Sequence, residues 1–301
     1  MRRMRIFGAV IIALLLVVPL SAYVTLRQLS NTNAIVQVKW APGAFPLKWQ
    51  MNPTVGANVA GTATQEDVLK ASFASWQALT SANISFTELG LTAATVKPGY
   101  DTINLVTSNV TAAEYGSTAI AFTNVFSFDQ GGVIDQYDRP IDFAGQILEA
   151  DIVFNPSLQF STSSTAVTNR FDMQTIATHE IGHFLGMDHS GQISSTMFPY
   201  SIQGVTYART LSTDDIAGVS SVYPKAEFLS KSTLSGTTTA ARPWILSRLL
   251  TCWTKLSCLL EVVVQKSGRL YVRVSRSVSP FSFTTVIDDF FPNGGFVTTK
   301  S

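Results

Sequence analysis

One twelve-residue stretch constrains this chain more than any other: His179-Glu180-Ile181-Gly182-His183-Phe184-Leu185-Gly186-Met187-Asp188-His189-Ser190. His179 and His183 are four residues apart, so on a helix both imidazoles leave the same face and can bind one ion. Gly186 can adopt the conformation that ends a helix, which brings His189 back as a third nitrogen ligand. Glu180 lies beside the pair. The spacing therefore predicts a helix, a turn and a three-histidine metal site.

Three protein ligands leave one position of a zinc ion open, which is typical of a catalytic site, whereas structural zinc is closed by four ligands. The chain has only three histidines in 301 residues, and all three occur at this spacing. We therefore interpret the motif as a metal site and not as a chance occurrence of the pattern. Cys252 and Cys258 are the only cysteines, lie far from the motif and are too few for a disulfide framework.

The motif resembles that of the metzincin zinc peptidases. Ser190 after the third histidine is similar to the matrixin branch, which includes matrix metalloproteinases and bacterial relatives. Phe171–Thr178, which leads into the motif, and Leu211–Val219, which precedes Tyr223-Pro224, also resemble matrixin segments. The resemblance covers about Trp40 to Pro224.

This resemblance implies an α+β fold with a twisted mixed β-sheet, packed helices, a zinc helix and a Met-turn. It also implies a zinc-dependent endopeptidase in which His179, His183 and His189 hold one catalytic Zn²⁺. Glu180 is then the general base that helps water attack a peptide bond, and the expected partner is a protein or peptide substrate.

Three further positions carry over from the family by resemblance. Met197 stands where the family has its Met-turn, and we expect it to be a packing floor and not a ligand. Pro199 matches the wall of the pocket for the side chain after the cleaved bond, although Ser201 stands where the family usually has Tyr. The counterpart of Ala119–Asn124 is an exposed edge, along which an extended peptide would pair as an added strand.

The N-terminus predicts export. Three arginines within the first five residues precede an apolar run, Ile6–Leu20, and small residues follow at Ser21-Ala22. This pattern indicates a signal peptide over residues 1–22 and a secreted protein. An alternative stays open, because no charge occurs from Ile6 to Leu26 and an uncleaved membrane anchor would fit that length. In both cases the catalytic part works outside the cytoplasm.

The formal net charge of +1 provides no field for nucleic acid or acidic lipid. We therefore expect no nucleic-acid partner, and a membrane partner only if the N-terminal segment is uncleaved. Related animal enzymes are kept latent by a propeptide Cys, which the short segment between Ala22 and Trp40 lacks.

Hydrophobic periodicity predicts the remaining elements. Residues 23–39 are expected to be an N-terminal segment with a polar linker at Thr25–Asn33. Thr64 predicts a helix N-cap, and Leu69, Phe73 and Trp76 follow at helical spacing as a core stripe. The predicted strands are Ala34–Trp40, Leu47–Met51, Ile84–Leu89, Thr102–Thr107, Thr118–Thr123 and Gln146–Phe154.

The loop Asp129–Asp138 is rich in carboxylates and glycine. Two interpretations stay open, a Ca²⁺ site and a solvated turn. A second, structural zinc like that of animal matrixins is not expected, because no histidine is left for it.

Residues 40–224 are predicted to form the peptidase domain, and residues 225–301 a linker followed by a tail that is either β-rich or disordered. In that tail Leu259–Gln265 and Leu270–Ser277 predict a hairpin around Ser267-Gly268, and we assign no chemistry to it. The alternative function is a membrane-anchored or surface protein that binds zinc or serves adhesion with little peptidase activity.

Overall fold

The computed structural model describes residues 22–130, 133–134, 140–141, 143–226, 261–264, 270–273 and 283–292. The predicted signal peptide up to Ser21 lies outside the described residues, as do most of the predicted calcium loop and the turn at Ser267-Gly268. Among the residues that are described, no helix has both the length and the apolar character needed to cross a membrane.

Four helices and eighteen strands are described. The helices are α1 (Gln65–Gln77), α2 (Ala112–Tyr115), α3 (Met173–Phe184) and α4 (Thr213–Val222). The strands are β1 (Val24–Thr25), β2 (Arg27–Leu29), β3 (Ile35–Gln37), β4 (Leu47–Met51), β5 (Val59–Ala60), β6 (Phe86–Leu91), β7 (Leu105–Thr107), β8 (Ala121–Phe128), β9 (Val133–Ile134), β10 (Pro140–Ile141), β11 (Ile147–Phe154), β12 (Phe160–Ser161), β13 (Phe171–Asp172), β14 (Met187–Asp188), β15 (Tyr200–Ser201), β16 (Glu261–Val264), β17 (Leu270–Arg273) and β18 (Phe283–Pro292).

A seven-stranded sheet forms the frame, with the strand order β15-β18-β8-β11-β7-β4-β6. Its β4, β6, β7 and β11 run parallel, whereas β8 is antiparallel to both of its neighbours, β11 and β18. Helices α1 and α3 pack against each other and α3 packs against the sheet. The predicted α+β class with a mixed sheet is confirmed.

Helix α1 begins as predicted. The Thr64 side chain accepts a hydrogen bond from the Asp67 backbone N–H, and the Asp67 carboxylate accepts one from the Thr64 N–H, which forms a capping box. The predicted stripe of Leu69, Phe73 and Trp76 is buried. The indole N–H of Trp76 donates to the Thr178 carbonyl at 2.8 Å, which ties α1 to α3.

The predicted linker at Thr25–Asn33 is wrong, because this segment is structured. Strand β2 pairs with β3, and Gln28 and Ser30 are buried. The Gln28 side chain donates to the Phe128 carbonyl and accepts from the Ser127 hydroxyl. Polar residues that alternate along a strand can be buried when each is hydrogen-bonded, and composition alone does not reveal this.

The bound at Leu26 for a membrane anchor is also wrong. Leu26 is buried in the core, and its backbone N–H donates to the Gly186 carbonyl at 2.9 Å. Val24 and Thr25 form β1, which pairs with β14 directly before His189. The folded domain therefore already includes the last residues of the apolar stretch.

Several predicted strands are confirmed with shifted bounds. Leu47–Met51 is observed as predicted, whereas the strand predicted at Ile84–Leu89 lies at Phe86–Leu91. The strand predicted at Thr118–Thr123 begins three residues later, because the Ser117 hydroxyl caps a turn by accepting from the Ala119 N–H. In the tail, β16 and β17 form the predicted antiparallel pair.

The expectation that Ala119–Asn124 forms an exposed edge is wrong for most of its length. From Ala121 onward this segment lies in β8, and its outer side is paired with β18 from the tail. Tail residues thus occupy the edge that the resemblance assigned to substrate.

Candidate metal centre

Helix α3 carries the first two histidines, and its start is fixed by Asp172. The Asp172 carboxylate accepts from the Thr175 N–H at 2.8 Å, as an N-cap should. The same carboxylate forms a two-point ion pair with the Arg209 guanidinium, which also donates to the Ser163 and Ser164 carbonyls. A carboxylate at this end of the helix also suits the helix dipole.

The helix ends at Phe184, and Gly186 then turns the chain, as the spacing predicts. Gly186 has a φ of +82° and donates its N–H to the His183 carbonyl at 2.8 Å. A Cβ at this position would lie 2.3 Å from the Val38 carbonyl oxygen, so only glycine fits here. The chain then enters β14, which delivers His189.

The three histidines lie together. Their ring centroids are 4.7 to 5.2 Å apart, and one ligand nitrogen from each falls within 4.8 Å of the others. His179 and His183 are buried, and His189 is half-buried. Within the described part of the chain this is the one group of at least three acidic, histidine or cysteine side chains arranged to hold a metal.

Carbonyl groups fix the tautomers of the two helical histidines. His179 Nδ1 lies 2.6 Å from the Thr196 carbonyl oxygen, and His183 Nδ1 lies 2.8 Å from the Met187 carbonyl oxygen. Because a carbonyl oxygen only accepts, both Nδ1 atoms carry the proton and both Nε2 atoms present a lone pair. The contact of 3.0 Å between these Nε2 atoms therefore joins two acceptors and is not a hydrogen bond.

A shared cation accounts for this arrangement. Two imidazole nitrogens on one tetrahedral zinc, each about 2.0 Å from the ion, are separated by about 3.3 Å. Burial lowers the pKa of His183, and burial together with the neighbouring histidines lowers the pKa of His179 well below its usual value. Both imidazoles are thus held neutral, which is the form that binds metal. The donor set fits zinc.

Glu180 is buried on α3 next to His179, where the sequence places it. The Thr123 hydroxyl on β8 lies 2.7 Å from Glu180 Oε2 and 3.0 Å from the Glu180 carbonyl oxygen. The position of Glu180 follows from the sequence, whereas the contact with Thr123 does not, because the two residues are 57 positions apart.

Met197 packs beneath the histidine helix. It is 1% exposed, and its sulfur is so close to Gly182 that a Cβ added to that glycine would lie only 2.1 Å from it. The Met197 carbonyl accepts from the Ser190 N–H at 2.8 Å, which links the floor to the segment after His189. Pro199 is half-buried and directly precedes β15. The structure therefore packs Met197 against the histidine helix, and the role of Pro199 in a substrate pocket stays a prediction.

Two adjacent carboxylates at the start of α4 were missed as site residues. Asp215 accepts from the backbone N–H groups of Thr196 and Met197 at 2.8 and 3.1 Å and from the Ser195 hydroxyl. Asp214 accepts from the Ser190 hydroxyl at 2.6 Å. The sequence signal was the acidic pair behind the Ser212 N-cap, but first-turn acids are usually solvated.

Asp214 also binds the N-terminal segment. The backbone N–H groups of Ala22 and Tyr23 both donate to Asp214 Oδ1 at 3.0 Å. Nearby, the Tyr223 hydroxyl donates to the Leu185 carbonyl at 2.7 Å and accepts from the Trp40 N–H at 3.0 Å. Helix α4 and the tyrosine that follows it thus connect the N-terminal segment to the end of α3.

Comparison with known sequences relates this chain to the matrixins. A family profile described as Matrixin matches residues 39–224. The chain is 32% identical to Metalloendoproteinase 1 of Glycine max over 127 residues, which cover 40% of each chain. It is 48% identical to Metalloendoproteinase 1-MMP of Arabidopsis thaliana over 52 residues, covering 17% of this chain and 14% of that protein.

A human relative gives the same picture over a shorter stretch. Matrix metalloproteinase-20 of Homo sapiens is 41% identical over 71 residues, which cover 23% of this chain and 15% of that protein. The chain thus spans 40% or less of the length of these three curated relatives.

The contact between Met197 and Gly182 yields a prediction in which two effects have opposite signs. Alanine is favoured over glycine in a helix interior by about 1 kcal/mol. At position 182, however, the added Cβ would lie 2.1 Å from the Met197 sulfur and 3.1 Å from the Trp76 ring. Neither side chain can move into solvent, because both are buried. We expect Gly182→Ala to lower the free energy of unfolding by about 1–3 kcal/mol, measured by urea denaturation.

The matched control is Gly191→Ala, because Gly191 is exposed and a Cβ there would meet nothing within 4 Å. This variant should unfold within about 0.5 kcal/mol of the wild type. A Gly182→Ala protein that is as stable as the wild type, or more stable, would contradict close packing of Met197 under α3.

Proposed function

This chain belongs to the matrixin family, whose profile matches more than half of it, and we propose that the protein is a zinc-dependent endopeptidase that hydrolyses peptide bonds. The observation that carries the proposal is the convergence of His179, His183 and His189 with Glu180 buried beside them. A module that only binds zinc has no need of such a carboxylate.

Each residue of the centre has a role in the proposed reaction. His179 and His183 would hold zinc through Nε2, and His189 would be the third ligand. When bound, zinc lowers the pKa of water to about 7 and stabilises negative charge on a carbonyl oxygen. Glu180 accepts the proton of the attacking water at its carboxylate and delivers it to the amine nitrogen that leaves.

Substrate binding is proposed along β8. An extended peptide that pairs with this strand gains main-chain hydrogen bonds whatever its sequence, and those bonds set its register. Pro199 directly precedes β15, which is the next strand but one from β8 in the sheet. Because Ser201 stands where the family usually has Tyr, we expect the pocket next to Pro199 to differ in shape from that of other family members.

Two further assignments are proposals based on sequence. The apolar run behind the N-terminal arginines supports action outside the cytoplasm, and recovery of the mature protein in the cytosol would contradict it. Calcium binding by Asp129–Asp138 stays a prediction, because most of that loop lies outside the described residues. Calcium-independent stability would argue for the solvated turn.

The role of Glu180 can be tested by Glu180→Gln, which keeps the size of the side chain and removes its basicity. We expect kcat/KM for a casein-derived peptide to fall about 100-fold to 10,000-fold, because general-base catalysis typically contributes that much. Zinc content measured by elemental analysis should stay at one ion per chain. Glu66→Gln, at an exposed ion pair on α1, is the matched control and should cleave normally. Normal turnover by the Glu180 variant would remove this residue from the mechanism.

Metal removal tests the function itself. A chelator should abolish cleavage, and stoichiometric Zn²⁺ but not Mg²⁺ should restore it. Since zinc binds the folded state, the melting temperature should also rise with added zinc, and His183→Ala should lose this response. Cleavage by zinc-free protein would refute the proposal.

A further inference from the structure

We infer that the tail segment Phe283–Pro292 occupies the edge of β8 that is proposed to bind substrate, and acts there as an intramolecular inhibitor. This inference rests on the proposed function and adds to it a means of restraint. The segment between Ala22 and Trp40 contains no cysteine, and the sequence assigns no chemistry to the tail.

The pairing is long and continuous. Strand β18 runs antiparallel to β8 over eight residue pairs, from Phe283 opposite Phe128 to Phe290 opposite Ala121. Its last two residues, Phe291 and Pro292, then pair in parallel with Tyr200 and Ser201 of β15. One extended segment is therefore hydrogen-bonded to the edge strand along its length and to the segment after Pro199 at its end.

The position of this strand excludes a second one. Each N–H and C=O on the outer side of a strand pairs with one neighbour, so the edge of β8 accepts either β18 or an extended substrate. β18 also approaches α3, which carries the catalytic Glu180 and two of the histidines. A peptide that needs the same edge must displace the tail first.

The composition of the segment suits this role. Residues 283–291 are rich in aromatic and β-branched residues, which favour an extended chain, and Pro292 closes the strand. Because the tail is covalently linked to the domain, its pairing with β8 is intramolecular and does not depend on protein concentration.

Truncation tests the inhibitor. A chain that ends at Ser282 lacks β18, and a chain that ends at Pro292 keeps it. We expect kcat/KM for a quenched peptide substrate to be about tenfold or more above the full chain for the shorter protein. The longer one should match the full chain. A synthetic peptide of residues 283–292 should inhibit the shorter protein competitively.

A second variant guards against a folding defect caused by losing a strand. In the full chain, Val286→Pro with Ile287→Pro removes two successive backbone N–H groups. Successive N–H groups point to opposite sides of a strand, so one of the two faces β8. This protein should be as active as the one that ends at Ser282, with a melting temperature close to that of the full chain.

The outcomes are distinct. Equal turnover by the full chain, the Ser282 truncation and the proline variant would overturn the inhibitor and leave the peptidase intact. Zinc-loaded, folded proteins that all fail to cleave would instead refute the proposed function.

An independent contact, between Thr123 and Glu180, supports a second inference, which also rests on the proposed function. Both residues are fully buried. The Thr123 hydroxyl has one proton but lies near two oxygens of Glu180, at 2.7 Å from Oε2 and 3.0 Å from the carbonyl. The carboxylate is the nearer and the charged acceptor, so it takes the proton. We propose that Thr123 is a positioning residue that orients Glu180.

Thr123→Val removes the hydroxyl and keeps the shape of the side chain. We expect kcat to fall about tenfold, because the base is no longer held, while KM stays within about twofold and zinc content is unchanged. Thr123→Ser should recover most of the loss. The matched control is Thr107→Val, another buried threonine whose hydroxyl accepts only from the Asn109 N–H.

A merely structural role for Thr123 would give a different pattern. The valine variant would then lose stability to a similar extent as Thr107→Val and keep its kcat. That result, or a serine variant as slow as the valine variant, would overturn the assignment.

Discussion

The metal centre depends on two hydrogen bonds in which an imidazole N–H donates to a backbone carbonyl. His179 donates to Thr196 and His183 to Met187, and each bond fixes both the tautomer and the direction of the opposite nitrogen. The cost of burying two polar rings is offset only if both nitrogens of each ring are satisfied. Each carbonyl bond satisfies Nδ1 of its ring, and a zinc ion would suit Nε2.

The segment that carries the Thr196 carbonyl must itself be held, and Asp215 at the start of α4 does this. Asp215 binds the backbone around Thr196, and Asp214 binds Ser190 together with the N-terminal segment. Neighbouring carboxylates at a helix start point in different directions, so one pair can organise two loops. The last helix and the first strand are therefore parts of the metal centre, although neither contributes a ligand.

The features that depend on short stretches of sequence could be predicted. The histidine spacing and Gly186 defined the helix, its end and the cluster, because four-residue periodicity and a positive φ are properties of short segments. Thr64 and the stripe after it predicted α1 for the same reason. Contacts between residues distant in the sequence could not be predicted, because they depend on which segments become neighbours in the fold. Examples are the hydrogen bonds of buried Gln28, of Thr123 with Glu180, and of Asp215 with the Thr196 N–H.

The strand β8 combines two requirements that conflict. A peptidase that binds extended peptides needs a long edge with unpaired main-chain groups, yet such an edge invites pairing with any extended chain. Most sheets protect their edges with charges, bulges or proline, but those devices would also exclude the substrate. Pairing with a segment of the same chain satisfies the main-chain groups without altering the edge, and the segment can be displaced. Pairing of β18 with β8 thus protects the sheet edge from aggregation and keeps it available for substrate.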